Sequence, residues 1–231
     1  MSAPPFTEVV PGVHAATRVD GAGWEVNMYA LTLPSGGLLV HSPTRADGAP
    51  HPGLDALGRP EVLLAPNHFH HMGLPAYRAR YPGAVAVTSD GARPRLTRQG
   101  HADLAPLDAA RERLPRGARL LECRGVKTGE VFLSLEAGGE RVWIVCDALF
   151  HVTRPLTGVL GAALRTLKTS PGLCVGQTFL WLALRDRRAY LGWLREQLAA
   201  ERPATILFSH GAPYEVGDGA ELDRLLERRL S

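Results

Sequence analysis

Val62-Leu63-Leu64-Ala65-Pro66-Asn67-His68-Phe69-His70-His71-Met72-Gly73-Leu74 is the stretch that decides how this chain reads. An apolar run stops at Pro66. Three of the nine histidines in the 231-residue sequence then fall within four positions. Neutral imidazole is the commonest metal ligand, so rings converging at this spacing point to a metal site. A second reading stays open: Asn67 caps a helix, and the histidines pack or donate to backbone carbonyls.

Two other apolar runs end in the same manner. Val142-Trp143-Ile144-Val145-Cys146 runs into Asp147, and Thr205-Ile206-Leu207-Phe208 runs into Ser209-His210-Gly211. In α/β folds ligands bind beyond the carboxyl ends of the strands, so three ends that deliver His, Asp and His could build one site together. Taken singly, Asp147 also reads as a helix-cap or turn residue and His210 as a turn histidine.

Around these ends the chain begins as antiparallel strands. Residues 6–18 flank the Pro11-Gly12 turn, and Val26–Leu33 and Leu38–His41 flank Pro34-Ser35-Gly36-Gly37. A short helix is expected at Pro52–Leu57, a strand at Glu61–Ala65, a helix at Leu74–Tyr81 and a strand at Ala84–Thr88. Residues 90–117 read as irregular with one or two helical turns. Three strands follow at Arg119–Cys123, Val131–Glu136 and Arg141–Cys146, the last two joined at Gly138-Gly139. Leu156, Val159, Leu160, Ala163, Leu164 and Leu167 keep helical spacing up to Pro171-Gly172. Helices at Phe179–Leu184, Ala189–Ala200 and Glu221–Leu230 complete the expected elements, with the strand Thr205–Phe208 before the last.

With these residues in place, the sequence resembles the metallo-β-lactamase superfamily over most of its length. The resemblance rests on the antiparallel start and on the histidine loop followed by a helix and Tyr81-Pro82-Gly83-Ala84. It rests also on Val145-Cys146-Asp147-Ala148-Leu149-Phe150 and on Leu207-Phe208-Ser209-His210-Gly211. It implies an α/β fold, a four-layer αβ/βα sandwich, in one domain over residues 1–231. The family signature is His-x-His-x-Asp-His. Its last His registers on His71, because Gly73-Leu74 and a helix follow. The second His then falls on His68, the Asp on His70 and the first His on Pro66. Gly125-Val126-Lys127-Thr128-Gly129 resembles the family's Gly-His-Thr-Pro-Gly, with Val126 in the histidine's place.

Both missing histidines belong to the family's first metal site. The resemblance therefore implies one dismantled site and one that is kept, with His70, His71, Asp147 and His210 as metal ligands. His68 stands beside them as a further ligand or a proton shuttle, and Asp147 and His68 are the expected catalytic residues. Such N and O donors suit one divalent ion, zinc first and iron or manganese as alternatives. The implied activity is hydrolysis of an ester, thioester, lactam or phosphodiester by a metal-bound water. The alternatives are a non-catalytic binding protein that keeps the fold and holds no metal, and a nuclease-like phosphodiesterase.

Composition narrows the classes. At 45% hydrophobic and 21% charged residues the chain can bury a sizeable core. The net charge of +3 comes from arginine, since Lys127 and Lys168 are the only lysines. Arg93, Arg95, Arg98, Arg111, Arg113, Arg116 and Arg119 form a basic region. It reads as a solvated face, or more sharply as a contact for phosphate or nucleic acid. Phe150, Leu156, Phe179, Trp181 and Trp193 read as core or as the wall of an apolar pocket or dimer surface. Cys123, Cys146 and Cys174 show no CxxC pairing, which suits a reducing compartment. No apolar run approaches the roughly 20 residues of a membrane span, and Met1-Ser2-Ala3-Pro4-Pro5 does not read as a signal peptide. A cytoplasmic protein acting on a small molecule is the expectation. There is no Walker-type loop, GxSxG elbow or dinucleotide fingerprint.

Overall fold

The computed structural model describes residues 5–19, 23–46, 48–154, 156–167 and 171–230. The N-terminal Met1–Pro4 and Lys168 lie outside them, as does the side chain of Leu160. The antiparallel start is a meander of β1 (Thr7–Val10), β2 (Val13–Val19), β3 (Glu25–Thr32) and β4 (Leu38–His41). Two small strands, β5 (Arg45–Ala46) and β6 (Ala49–Pro50), pair with each other. β7 (Pro60–Leu64) and β8 (Val85–Val87) then join the meander in parallel and make a six-stranded sheet, β1-β2-β3-β4-β7-β8.

β9 (Arg119–Glu122), β10 (Val131–Ala137), β11 (Glu140–Val145), β14 (Thr205–Phe208) and β15 (Tyr214–Glu215) make a second sheet in the order β15-β14-β11-β10-β9. Between β11 and β14 the chain forms the antiparallel pair β12 (Phe150–Val152) and β13 (Gly172–Cys174). The helices are α1 (Leu74–Arg80), α2 (Arg93–Arg98), α3 (Asp108–Arg111), α4 (Gly158–Thr166), α5 (Arg187–Glu201) and α6 (Ala220–Leu230).

Three buried clusters account for the layering. Leu31, Leu39, Val62 and Leu64 of the first sheet meet Leu133, Val142, Ile144 and Leu207 of the second, so the two sheets pack face to face. Behind the first sheet, Met28, Ala30, Val40 and Leu63 pack on Leu74 and Tyr77 of α1 and Leu96 of α2. Behind the second, Phe132, Trp143, Val145 and Ile206 pack on Tyr190 and Leu194 of α5 and Leu222 and Leu226 of α6. Central strands covered on both faces are mostly apolar, which is why Leu38–Val40 of β4 and Ile206–Phe208 of β14 read as apolar runs. Each fully buried large side chain contributes about 1.5–3 kcal/mol of transfer free energy. The result is the expected αβ/βα sandwich.

The departures are local. The expected helix at Pro52–Leu57 is a single 3₁₀ turn, Pro52–Leu54. Residues 179–183 wind as a π-turn, with Leu184 N–H donating to Phe179 O. β12, β13 and β15 were not expected, because strands of two or three residues are too short to show a period.

Candidate metal centre

The register of the second sheet brings two of the predicted residues together. β11 and β14 run parallel with Val145 opposite Phe208. Asp147 and His210, each two residues further on, therefore leave the sheet side by side. The third comes from the loop after β7. Asn67 is fully buried, and its Oδ1 accepts from the backbone N–H of Phe69 at 2.7 Å and of His70 at 3.1 Å. This is the cap-like role of the plainer sequence reading, and it turns His70 inward.

His70 Nε2 and His210 Nε2 stand 3.2 Å apart, and Asp147 Oδ1 lies 3.4 Å from the first and 3.3 Å from the second. A tetrahedral ion with metal–ligand distances near 2.0–2.1 Å holds its donors about 3.3–3.4 Å from one another. The three atoms thus form one face of such a polyhedron. They are the one group of three or more His, Cys, Asp or Glu donors among the described residues that could hold a metal ion.

Each ligand atom is oriented by a partner behind it. His210 Nδ1 lies 2.9 Å from Glu25 O, which can only accept, so the proton sits on Nδ1 and Nε2 presents its lone pair to the cluster. The ring packs against both Trp24 and Phe150, which also touch each other. His70 Nδ1 meets Ser42 Oγ at 2.6 Å, and Ser42 holds the left-handed φ of 56° just beyond β4. Asp147 Oδ2 accepts from Asn67 Nδ2 at 2.8 Å, which leaves Oδ1 for the cluster.

The same Asn67 amide donates to Glu130 Oε2 at 2.7 Å. Glu130 Oε1 in turn accepts from the N–H groups of Cys146 and Ala148, at 3.2 and 3.1 Å. Glu130 is wholly buried and clamps both sides of Asp147. Burial, with the Asp147 charge nearby, pushes its carboxyl up to about 8. Burial also pushes Asp147 up, but His70 and His210 outweigh it and hold the carboxyl well below its usual range. For His70 burial works downward, and Asp147 more than reverses it, so the ring titrates above its usual value. The Asp147 carboxylate thus favours positive charge at this point, which a proton on His70 or a bound cation can supply.

The His210 loop is fixed to the first sheet. Asn27 Nδ2 donates to Phe208 O at 2.8 Å and Gly211 O at 2.7 Å, and Tyr29 donates to Phe208 O at 2.6 Å. Gly211 has φ +103°, and a Cβ there would collide with the His151 carbonyl. Gly211→Ala is therefore expected to cost about 2–3 kcal/mol and to displace His210. A urea midpoint shift at unchanged slope checks this.

Two predicted site residues do not join the cluster. His71 Nδ1 lies 2.8 Å from His101 Nε2, on the far side of the turn. The Gly73 Cα sits so close to the Pro43 carbonyl that no side chain fits there, which fixes the direction of the turn into α1. Burial and the neighbouring His101 push His71 below its ordinary value. His68 stacks edge-on against Phe69, and its buried Nδ1 has no hydrogen-bond partner among the described residues. Burial and Arg95 push it down as well, so both rings are neutral at pH 7.

Pro66 and Val126 stand where the resemblance expects histidines. Pro66 O accepts from Val131 N–H, and Val126 packs against the second sheet's outer core. Glu130, Asn27 and Ser42 are the supporting residues that sequence reasoning missed. A glutamate immediately before the mostly apolar β10 was the one available signal.

No protein-family model matches the sequence, and no curated protein does. Solved structures do. The metallo-β-lactamase from Pontibacter korlensis superposes with a TM-score of 0.58 at 10% identity, over 97% of this chain and 99% of the other. This chain has the metallo-β-lactamase fold. The metallo-β-lactamase FIM-1 from Pseudomonas aeruginosa in its mono-zinc form gives 0.56 at 11% identity, over 98% of this chain and 96% of that one. An NDM/FIM-1-like enzyme from Erythrobacter litoralis, also in a mono-zinc form, gives 0.58 at 15% over 96% of each chain. Within the metallo-β-lactamase fold, His70, Asp147 and His210 sit where the carboxyl ends of the two central sheets converge.

The remaining predicted features separate. Phe150 and Phe179 line a cavity of about 260 Å³ beside the cluster, with Leu182 and Ala183. Leu156 and Trp193 belong to the core, and Trp181 is exposed. In the basic region Arg93 pairs with Asp90, Arg111 with Asp108 and Glu122, and Arg119 with the buried Glu201. No helix among the described residues is long and apolar enough to cross a membrane.

Proposed function

We propose that this protein is a metal-dependent hydrolase with a single-metal centre held by His70, Asp147 and His210. The observation that carries the reading is the triangle of donor atoms at 3.2, 3.3 and 3.4 Å, each oriented from behind by Ser42, Asn67 or Glu25. Two imidazoles and one carboxylate suit zinc, with iron or manganese as the alternatives. Three protein donors are the number found in catalytic rather than structural zinc sites. When bound, such an ion polarises a carbonyl and makes water nucleophilic at neutral pH.

The chain's own residues do the rest. Asp147, ionised, supplies the negative charge that holds the cation. Asn67 and Glu130 keep its second oxygen turned away. Phe69, Phe150 and Phe179 wall one side of the cluster and limit water there. His68, neutral and partly exposed, is the nearby candidate for accepting a proton. Acyl substrates are favoured over phosphodiesters because three of the seven arginines of the basic region already hold acidic partners.

Two measurements test this. Zinc at one hundred times its Kd stabilises a one-site protein by about 2.7 kcal/mol. For a chain of this length that corresponds to a rise in Tm of roughly 5–10 °C. The zinc-loaded protein is expected to hydrolyse simple aryl esters, and His210→Ala to abolish both the Tm shift and turnover. A zinc-loaded protein that cleaves no ester, thioester or lactam would sink the hydrolase reading.

A further inference from the structure

The candidate centre lies between an apolar cavity and one of mixed lining that carries two arginines. One, about 260 Å³, is lined by Phe69, Phe150, Phe179, Leu182 and Ala183 around Asp147. The other, about 620 Å³, is lined by Arg18, Ser42, Thr44, Arg45 and Met72. Both are bounded by Phe69, His70 and His210, so they form the two arms of one groove with the cluster at its middle.

The apolar arm ends against Phe150, Phe179 and Ala183, all buried. Its rim is Phe69 and Leu182, 43% and 60% exposed. At 260 Å³ it is below the size of a drug-sized site, so it takes a short chain or one ring. The other arm opens to solvent past Arg18 and Arg45, both exposed, and neither has an ion-pair partner among the described residues. Guanidinium groups bind carboxylates and phosphates through paired, charge-assisted hydrogen bonds. The apolar arm suits an uncharged, apolar part of a substrate, and the arm with the two arginines suits an anionic part.

We propose that the groove selects a linear acyl ester with a short apolar acyl group in the Phe150 arm and an anionic leaving group against Arg18 and Arg45. This rests on the hydrolase reading above. In the reaction a water oxygen bonds to the acyl carbon, the ester C–O bond breaks, and one water proton goes to the departing oxygen. The products are a short carboxylic acid and an anionic alcohol or phenol.

The test separates recognition from turnover. Binding to the zinc-loaded protein is measured by calorimetry for 3-(butanoylamino)benzoate, its phosphonate counterpart and its neutral carboxamide, amides that an esterase leaves intact. The anions are expected to bind about tenfold tighter than the carboxamide at low salt, and less so at 0.5 M salt. Arg18→Gln/Arg45→Gln should collapse that ratio to near one. The better-bound anion identifies the leaving group's charge. Shortening butanoyl to acetyl should weaken binding roughly tenfold, and Leu182→Asp should erase that difference.

Equal binding of anion and carboxamide, a preference that survives the double arginine variant, or no binding of any probe overturns the proposal. The esters 3-carboxyphenyl and 3-carbamoylphenyl butyrate supply the second readout. Cleavage of both with equal kcat/KM removes the substrate class and leaves the hydrolase reading standing. Cleavage of neither, with the binding preferences intact, removes the hydrolase reading and leaves the groove's polarity.

Discussion

Asp147→Ala is expected to abolish metal binding at micromolar concentration while leaving the fold in place. Loss of an outer hydrogen-bonding partner of a metal ligand costs roughly 10–100-fold in affinity. Loss of one of three ligands, and the charged one, costs more. The fold survives because Asp147 lies beyond the end of β11 and its removal opens no cavity in the three clusters. Asp147→Asn refines the result. One amide oxygen can meet either Asn67 Nδ2 or the ion, and the NH₂ group then faces the other. Metal binding should stay weak, with the far-ultraviolet circular dichroism of the wild type. A variant with neither aspartate nor loss of affinity would mean that the ion sits elsewhere.

Glu130→Ala has the second-largest effect. Glu130 is remote from the groove, so its loss acts through structure. Removing it leaves the N–H groups of Cys146 and Ala148 and one proton of Asn67 Nδ2 buried without acceptors. Each buried donor left unpaired in this way costs about 1–3 kcal/mol. Glu130→Gln keeps an oxygen for the two backbone groups but turns an NH₂ towards that of Asn67, and about 2–3 kcal/mol is expected. Either change loosens Asp147 and should weaken metal binding 10–100-fold.

Glu130 also gives the metal-free protein a definite pH dependence. Its folded carboxyl is raised to about 8, so between the ordinary glutamate range and pH 8 the folded chain holds a proton that the unfolded chain has lost. Stability then falls as pH rises through that window. His70, raised as well, acts in the same direction. Asp147 acts oppositely and only in acid, where its stabilising effect disappears as it is protonated. His41, His68, His71 and His101 are pushed down and oppose this trend up to the ordinary histidine range, so the Tm of the metal-free protein should drop above that range, between about pH 7 and 8. Glu130→Gln should flatten most of that slope, and a slope equal to the wild type's would contradict the assignment.

What the sequence made legible follows from distance along the chain. Asp147 and His210 each terminate a buried apolar strand, and the strand pattern is local. The layers were readable for the same reason, with helices following each group of strands. The direction of the histidine loop was not. His70 rather than His71 enters the cluster because Asn67 accepts from its backbone and Gly73 lies against Pro43, 30 residues upstream. His71 finds its partner in His101, 30 residues downstream. A motif register carries no information about either contact. Glu130, Asn27 and Ser42 escaped notice because each reaches its partner across the interface between the sheets or between loops distant in sequence.

Metal content after loading with zinc and desalting, compared for the wild type, His70→Ala and His71→Ala, tests the central claim most directly. The geometry predicts about one ion per chain in the wild type, the same in His71→Ala and none in His70→Ala. Loss of the ion in His71→Ala with retention in His70→Ala would contradict it and return the centre to the histidine that the motif register names.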